Sequence, residues 1–299
     1  MLFYLFSSIY CFCKNNQNIN FSIDYGYLWH NRLVHDQGEL NNCHIFSFLS
    51  ALESRHYKDK KELILLSPLD LFYLNLYEIR TIFDNSGFLS HPMQNFVPYK
   101  LYPNLESGNQ FINLNIIKKH GTTTYKKRPY PKRESPNYCE LLKKTNKLQD
   151  TWKKCKQIEA CSKSRTYLQW EKQRKEIKDF FMREGYNHIS EDFKIKNFKE
   201  DRYYIKKFTK RIKIKSIPIY DNLPNYSIEK ILQHLTCNPI IISVVGSKNL
   251  NSKNTANHYE SPSHSILLIG YNSKTKKVRI RNSYGVGIEE YNKKNFATH

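Results

Sequence analysis

The sequence predicts an α+β fold, with helices gathered in the first half of the chain and strands in the last third. Two patterns support this. Apolar residues recur at helical spacing after Cys43, after Ser67 and up to Gly121, whereas short apolar or alternating runs bounded by Pro and Gly follow Tyr203. Segregation of this kind indicates α+β layers rather than alternating βα units. Composition supplies a third observation. Hydrophobic residues make up 39% and aromatics 14% of 299 residues, including 22 Tyr and 17 Phe, so the chain can bury enough surface to exclude general disorder.

Taken in order, the elements begin with the apolar stretch Leu2 to Cys13. It is too short to span a bilayer and lacks a basic n-region, so it reads either as a degenerate export signal or as a strand packed on the body. Residues 15–24 are polar and extended. Ser47, Phe48, Ala51 and Leu52 put Cys43 at or near a helix N-terminus. Ser67-Pro68 reads as an N-cap followed by N1, opening a helix with Leu71, Leu74 and Ile79 on its buried side. A third helix runs from about Asn109 to His120 and stops at Gly121.

The stretch 126–211 differs from its surroundings. A turn-rich basic loop leads into one or two long charged helices, about Tyr138 to Arg183, with Leu141, Leu148, Trp152 and Phe180 among sparse apolar positions. From Tyr203 the pattern becomes strand-like, with Ile212, Ile214, Ile217 and Ile219 in loose alternation. A further helix is expected over 227–235. Residues 239–245 and 265–269 suit buried strands, and 276–280 suits a half-buried strand leading to Asn282.

The formal charge is +21, which suits a polyanion, an anionic surface or an acidic substrate, but it accompanies a general Lys, Asn, Ile and Tyr bias with only 10 Gly. The seven cysteines are too sparse for a disulfide framework. Cys139, Cys155 and Cys161 lack the close pairing and the histidines of a zinc site, so no metal is expected.

A nucleophilic cysteine needs positive potential and a base. Cys43 gains the first from its helix N-terminus. His264, at the start of a buried strand, is a base that a backbone can hold rigidly. Asn282, at the end of the next strand, falls beside it in a hairpin-like pairing and can fix the ring tautomer. Gln37, in the Asp36-Gln37-Gly38 turn, can offer an amide to a developing oxyanion beside the Cys43 N–H.

These segments resemble the papain-like cysteine peptidases. Residues 36–47, with Gln37, Gly38, Cys43, Phe46 and Ser47, resemble that family's nucleophile segment, and Ile23-Asp24-Tyr25 resembles the start of its mature chain. Leu66-Ser67-Pro68, Ser107-Gly108-Asn109, Asn238-Pro239, Ser263-His264-Ser265 and Arg281-Asn282-Ser283-Tyr284-Gly285 follow in the family's order. The match covers roughly 22–130 and 202–290. The resemblance implies a two-lobed fold, with a leader or extension over 1–21 and a peptidase domain over 22–299. Within that domain it implies a helical lobe at about 22–130, a basic helical insertion at about 131–201 and a β-rich, barrel-like lobe at about 202–299.

It further implies Cys43, His264, Asn282 and Gln37 as catalytic residues. Asn41, Ser107, Gly108, Ser263 and Tyr284 would line the substrate site. The implied substrate is a protein or peptide, with no cofactor and no obligatory nucleic acid. An anionic surface contact through 126–211 is an accessory expectation. The chain departs from the family at several places. Leu40 replaces a disulfide cysteine, which removes the need for an oxidising compartment; Asn41-Asn42 replaces Gly-Ser; His44 and Tyr284 each replace Trp; and Ser107 replaces Gly. The substitutions at Asn41, His44 and Ser107 motivate the alternative of a non-catalytic binding protein on the same fold. A polyanion binder acting through the basic insertion is the third reading.

Overall fold

The computed structural model describes residues 3–10, 22–23, 35–40, 42–75, 110–156, 165–183, 196–217, 235, 239–244, 264–272 and 277–284. It is an α+β protein in which helices accompany one small antiparallel sheet. The chain divides into two compact units. The first comprises residues 1–37, 42–66 and 210–299; the second comprises 38–41 and 67–209.

Among the described residues, the first unit contains the sheet and one long helix. Strands β1 (Phe3–Tyr10), β2 (Ser22–Ile23), β3 (Lys213–Ile217), β4 (Ile240–Val244), β5 (His264–Asn272) and β6 (Lys277–Arg281) line up as β2-β5-β4-β1-β3, with β6 also on β5. All pairings are antiparallel. The apolar first stretch is therefore a strand, and an interior one: β1 pairs with β3 through Ile9↔Ile214 and with β4 through Ser7↔Ile241. In β5, Ile266, Leu267, Leu268 and Ile269 are all buried, so both faces of that strand are covered, as its unbroken apolar run requires. Helix α1 (Cys43–Lys60) packs on β5 and β4. It is buried on nearly every side from Cys43 to His56, with His44, Glu53, Arg55 and His56 among the buried residues. It ends at Lys61, whose left-handed φ of 60° lets its N–H reach the Tyr57 carbonyl at 2.8 Å.

The second unit is helical. Helix α2 is described over 68–75 and starts where Ser67 caps it: the Asp70 N–H donates to Ser67 Oγ at 3.0 Å. Leu71 and Leu74 lie on its buried side; Ile79 lies outside the described residues. Helix α3 (Gln110–His120) stops at Gly121, whose φ is +70° and where a Cβ would fall 2.2 Å from the Arg202 carbonyl oxygen. Helices α4 (Pro136–Lys156) and α5 (Arg165–Arg183) pack on each other, and Arg183 at the end of α5 pairs with Glu140 near the start of α4, so the two run antiparallel. Phe181 carries α5 onto α2 through Phe72 and Tyr73, at ring distances of 6.1 and 4.9 Å.

Helix α6 (Lys196–Thr209) packs on α3 and corrects one expectation: residues 203–209 are helical, not strand-like. Arg202, Ile205 and Thr209 are buried at three- and four-residue spacing, which is a helix face; the alternation begins only at β3. The helix expected over 227–235 lies outside the described residues except for Leu235.

A buried ion cluster centres on Asp70. Its Oδ1 accepts from Arg128 at 2.6 Å and from Arg202 at 2.7 Å, while Oδ2 accepts from the Thr122 hydroxyl at 2.9 Å and the Thr123 N–H at 3.2 Å. Burial pushes this carboxyl up, but Arg202 and Arg128 outweigh it and hold it below its usual range. Asp201, paired with Lys127 at 2.8 Å, accepts from Thr123 Oγ1 and the Thr124 N–H. The basic segment is thus joined to α2 by charge-assisted bonds in the interior, where a half-satisfied cluster would be costly.

Candidate functional site

Gln37, Cys43, His264, Asn282 and Tyr284 all belong to the first unit. Asn41, Ser107, Gly108 and Ser263 lie outside the described residues. Cys43 is the first residue of α1. Asn42 precedes it and accepts from the Ile45 and Phe46 N–H groups through its carbonyl at 2.8 and 3.2 Å, and no acidic residue occupies the first turn to neutralise the positive helix end. The Cys43 side chain is buried. Burial pushes its thiol up, against the backbone N–H groups of Ser265, His44 and Cys43 itself, which favour the thiolate. The Ser265 contribution ties the sulfur to the residue next to His264.

Hairpin register accounts for the histidine and asparagine. Leu267 pairs with Arg281 across β5 and β6, so the ladder carried onward brings residue 264 level with 284 and puts 282 on the same face, two residues away. The side chains follow. His264 Nε2 lies 2.7 Å from Asn282 Oδ1, and the Ser283 N–H donates to the same oxygen at 2.8 Å. The Ser283 N–H can only donate, which identifies the amide atom it meets as the oxygen; Nε2 faces that same oxygen, so it carries the proton and neutral His264 has an unprotonated Nδ1. Burial lowers the His264 value and the Asn282 bond opposes that, with burial the larger effect.

Tyr284 stacks on His264 with centroids 4.8 Å apart and planes within 5°. Its hydroxyl lies 3.3 Å from Nδ1. Stacked rings cannot approach much closer than about 3.5 Å, so that oxygen sits almost straight above Nδ1 rather than in the ring plane. The in-plane lone pair of Nδ1 therefore points elsewhere. Gln37 is drawn to the same corner. Its N–H donates to the Ser283 carbonyl at 2.8 Å, Asp36 bridges Tyr284, and its Oε1 accepts from the Ser283 hydroxyl. With Oε1 turned to Ser283, the NH2 end of the amide faces away from that hydroxyl.

Sequence reasoning did not foresee the charged groups behind these residues. Arg281 is buried next to Asn282, and Glu53 on α1 supports its charge against the desolvation that lowers it. Glu53 also accepts from the Leu66 N–H at 2.8 Å. Burial and, second, Arg281 depress His35 from 6.5 to about 4. A small cavity, with about 10 Å³ open to the centre of a water molecule, is lined by His35, Ser47, Ser265, Arg281, Asn282 and Ser283 among others. Glu53 lies on the helical spacing after Cys43, but its neighbour Arg281 sits on a strand 228 positions away, a separation no local pattern reports. No protein-family model matches the chain, and no curated protein matches it significantly.

Proposed function

We propose that this chain is a cysteine peptidase of papain-like fold, hydrolysing peptide bonds through Cys43, His264 and Asn282, with Gln37 as an oxyanion donor. One observation carries the reading: the Nε2 to Oδ1 contact of 2.7 Å between His264 and Asn282, in the same unit as a cysteine that opens a helix. The two-lobed arrangement is part of the proposal. In the proposed reaction the Cys43 sulfur attacks the scissile carbonyl as its proton passes to His264 Nδ1. Charge on the carbonyl oxygen is met by the Cys43 N–H and the Gln37 amide. His264 then gives the proton to the leaving amine, and the C–N bond breaks to leave a thioester. Water, deprotonated by His264, cleaves the thioester and returns the thiol. Asn282 holds the imidazole in the tautomer that this sequence uses.

The test is labelling by an epoxysuccinyl thiol-protease inhibitor with peptide mapping, alongside a peptide-library digest by wild type and Cys43→Ala. Labelling at Cys43 and cleavage abolished by the substitution are expected. No labelling, or cleavage that survives Cys43→Ala, removes the proposal.

A second reading, a non-catalytic binding protein on the same fold, is favoured by one observation: burial drives both Cys43 and His264 toward their neutral forms. The same digest separates the two readings. As an accessory role, segment 126–211 carries 26 Lys and Arg against 12 Asp and Glu, which fits contact with an anionic surface; such binding should weaken steeply as salt rises.

A further inference from the structure

The side-chain NH2 of Asn282 is a buried donor without a hydrogen-bond partner among the described residues, although the residue is only 9% exposed. Its oxygen is fully engaged by His264 Nε2 and the Ser283 N–H, so the amide cannot turn round to satisfy the nitrogen without losing both bonds. The same residue lines the small cavity, whose volume is close to that needed by one water. The lining also includes Ser47, Ser50, Ser265 and Ser283, and a water is retained where it finds two to four polar partners. The Ser283 hydroxyl donates to Gln37, and the Ser47 hydroxyl, one turn after Cys43 on α1, donates to the His44 carbonyl at 3.4 Å; a hydroxyl that donates can also accept.

From this we infer that the cavity is a binding site for one ordered water, which accepts from Asn282 Nδ2 and donates to the Ser47 hydroxyl. Ser47 is then a positioning residue. Through the water it holds the Asn282 amide oxygen toward His264, and so keeps the proton on Nε2 and the lone pair on Nδ1. The inference rests on the reading of His264 as the base only for its consequence, because the water and the tautomer are both measurable without turnover.

A crystal structure of the full chain, at a resolution that places waters, should show one water within hydrogen-bond reach of Asn282 Nδ2. An empty cavity, or an amide rotated so that Nδ2 meets a protein acceptor, overturns the inference. Ser47→Thr and Ser47→Val supply the second arm, since the two replacements share a shape and differ by the hydroxyl. Nitrogen-15 NMR of His264 should show the Nε2–H tautomer retained in Ser47→Thr, with the minor Nδ1–H form rising about tenfold in Ser47→Val. Equal tautomer populations in the two variants overturn the role of Ser47. If both variants fail to fold, the water density in the wild type decides alone. Absent peptidase activity with the water and tautomer in place removes the proposed function and leaves this site standing.

Discussion

Protonating His35 should loosen the unit that carries Cys43 and His264. Its imidazole titrates near 6.5 in the unfolded chain and at about 4 when folded, first because it is buried and then because Arg281 stands beside it. The folded value lies below the unfolded one, so protons bind the unfolded chain more tightly. This group therefore leaves stability intact above 6.5, erodes it as pH falls from 6.5, and has its full effect below about 4. Between about pH 7 and about pH 4.5 the native state loses about 2 kcal/mol through this one residue, an upper figure since His35 keeps some solvent contact. Urea unfolding of wild type and His35→Gln at those two pH values measures it, with amide exchange in β4 and β5 locating the change. Gln is never protonated, so the variant should lose about 2 kcal/mol less than the wild type over the interval, whatever its stability at neutral pH. His264 also titrates low, but it is present in both proteins and cancels. Equal losses in the two proteins would refute the reasoning.

Three further outcomes are expected. Alkylation of Cys43 by iodoacetamide should accelerate through the alkaline range, because burial raises the thiol and lowers His264; a rate already level through mild acid would mean a preformed ion pair. Asp70→Asn, by stranding Arg128 and Arg202 in the interior, should cost about 3–5 kcal/mol in chemical denaturation, and an effect below about 1 kcal/mol would show that the cluster contributes little. Gly121→Ala should lower the midpoint of thermal unfolding, since a side chain there meets both a φ of +70° and the Arg202 backbone; an unchanged midpoint would mean that the α3 exit relaxes freely.

Elements whose signal is local were legible. The Ser67 cap, the Gly121 stop, the start of α1 at Cys43 and the β5–β6 hairpin each depend on residues within a few positions, and each stands where the pattern predicted it. The pairing of His264 with Asn282 was legible because hairpin register is local too. Long-range partners were not. Arg128 and Arg202 reach Asp70 from 58 and 132 residues away, and the lysines and arginines around them read as a solvated face. The interior place of β1 was equally hidden, since an apolar octet reads alike as strand or as signal. Helix α6 was misjudged from Tyr203 because a short tyrosine-rich segment with β-branched neighbours suits either period, and burial of Arg202 against Asp70 decides it.

Several magnitudes bear on the resting state of the proposed dyad. Ordinary thiol and imidazole values of 9.0 and 6.5 make proton transfer from Cys43 to His264 uphill by about 3 kcal/mol before any interaction is counted. Two unit charges about 4 Å apart near a protein surface attract by about 4 kcal/mol, and a helix N-terminus adds up to about 1 kcal/mol for the thiolate. In a partly solvated site those terms would favour the ion pair. Here burial moves the thiol up and the imidazole down, so both shifts oppose the transfer. In the proposed reaction, the carbonyl that Cys43 would attack and the donors that would meet its oxygen supply stabilisation only as charge develops, so the proton would move with the attack rather than ahead of it. Asn282 matters to that step because it keeps Nδ1 unprotonated. An imidazole in the other tautomer could not accept the thiol proton there at all.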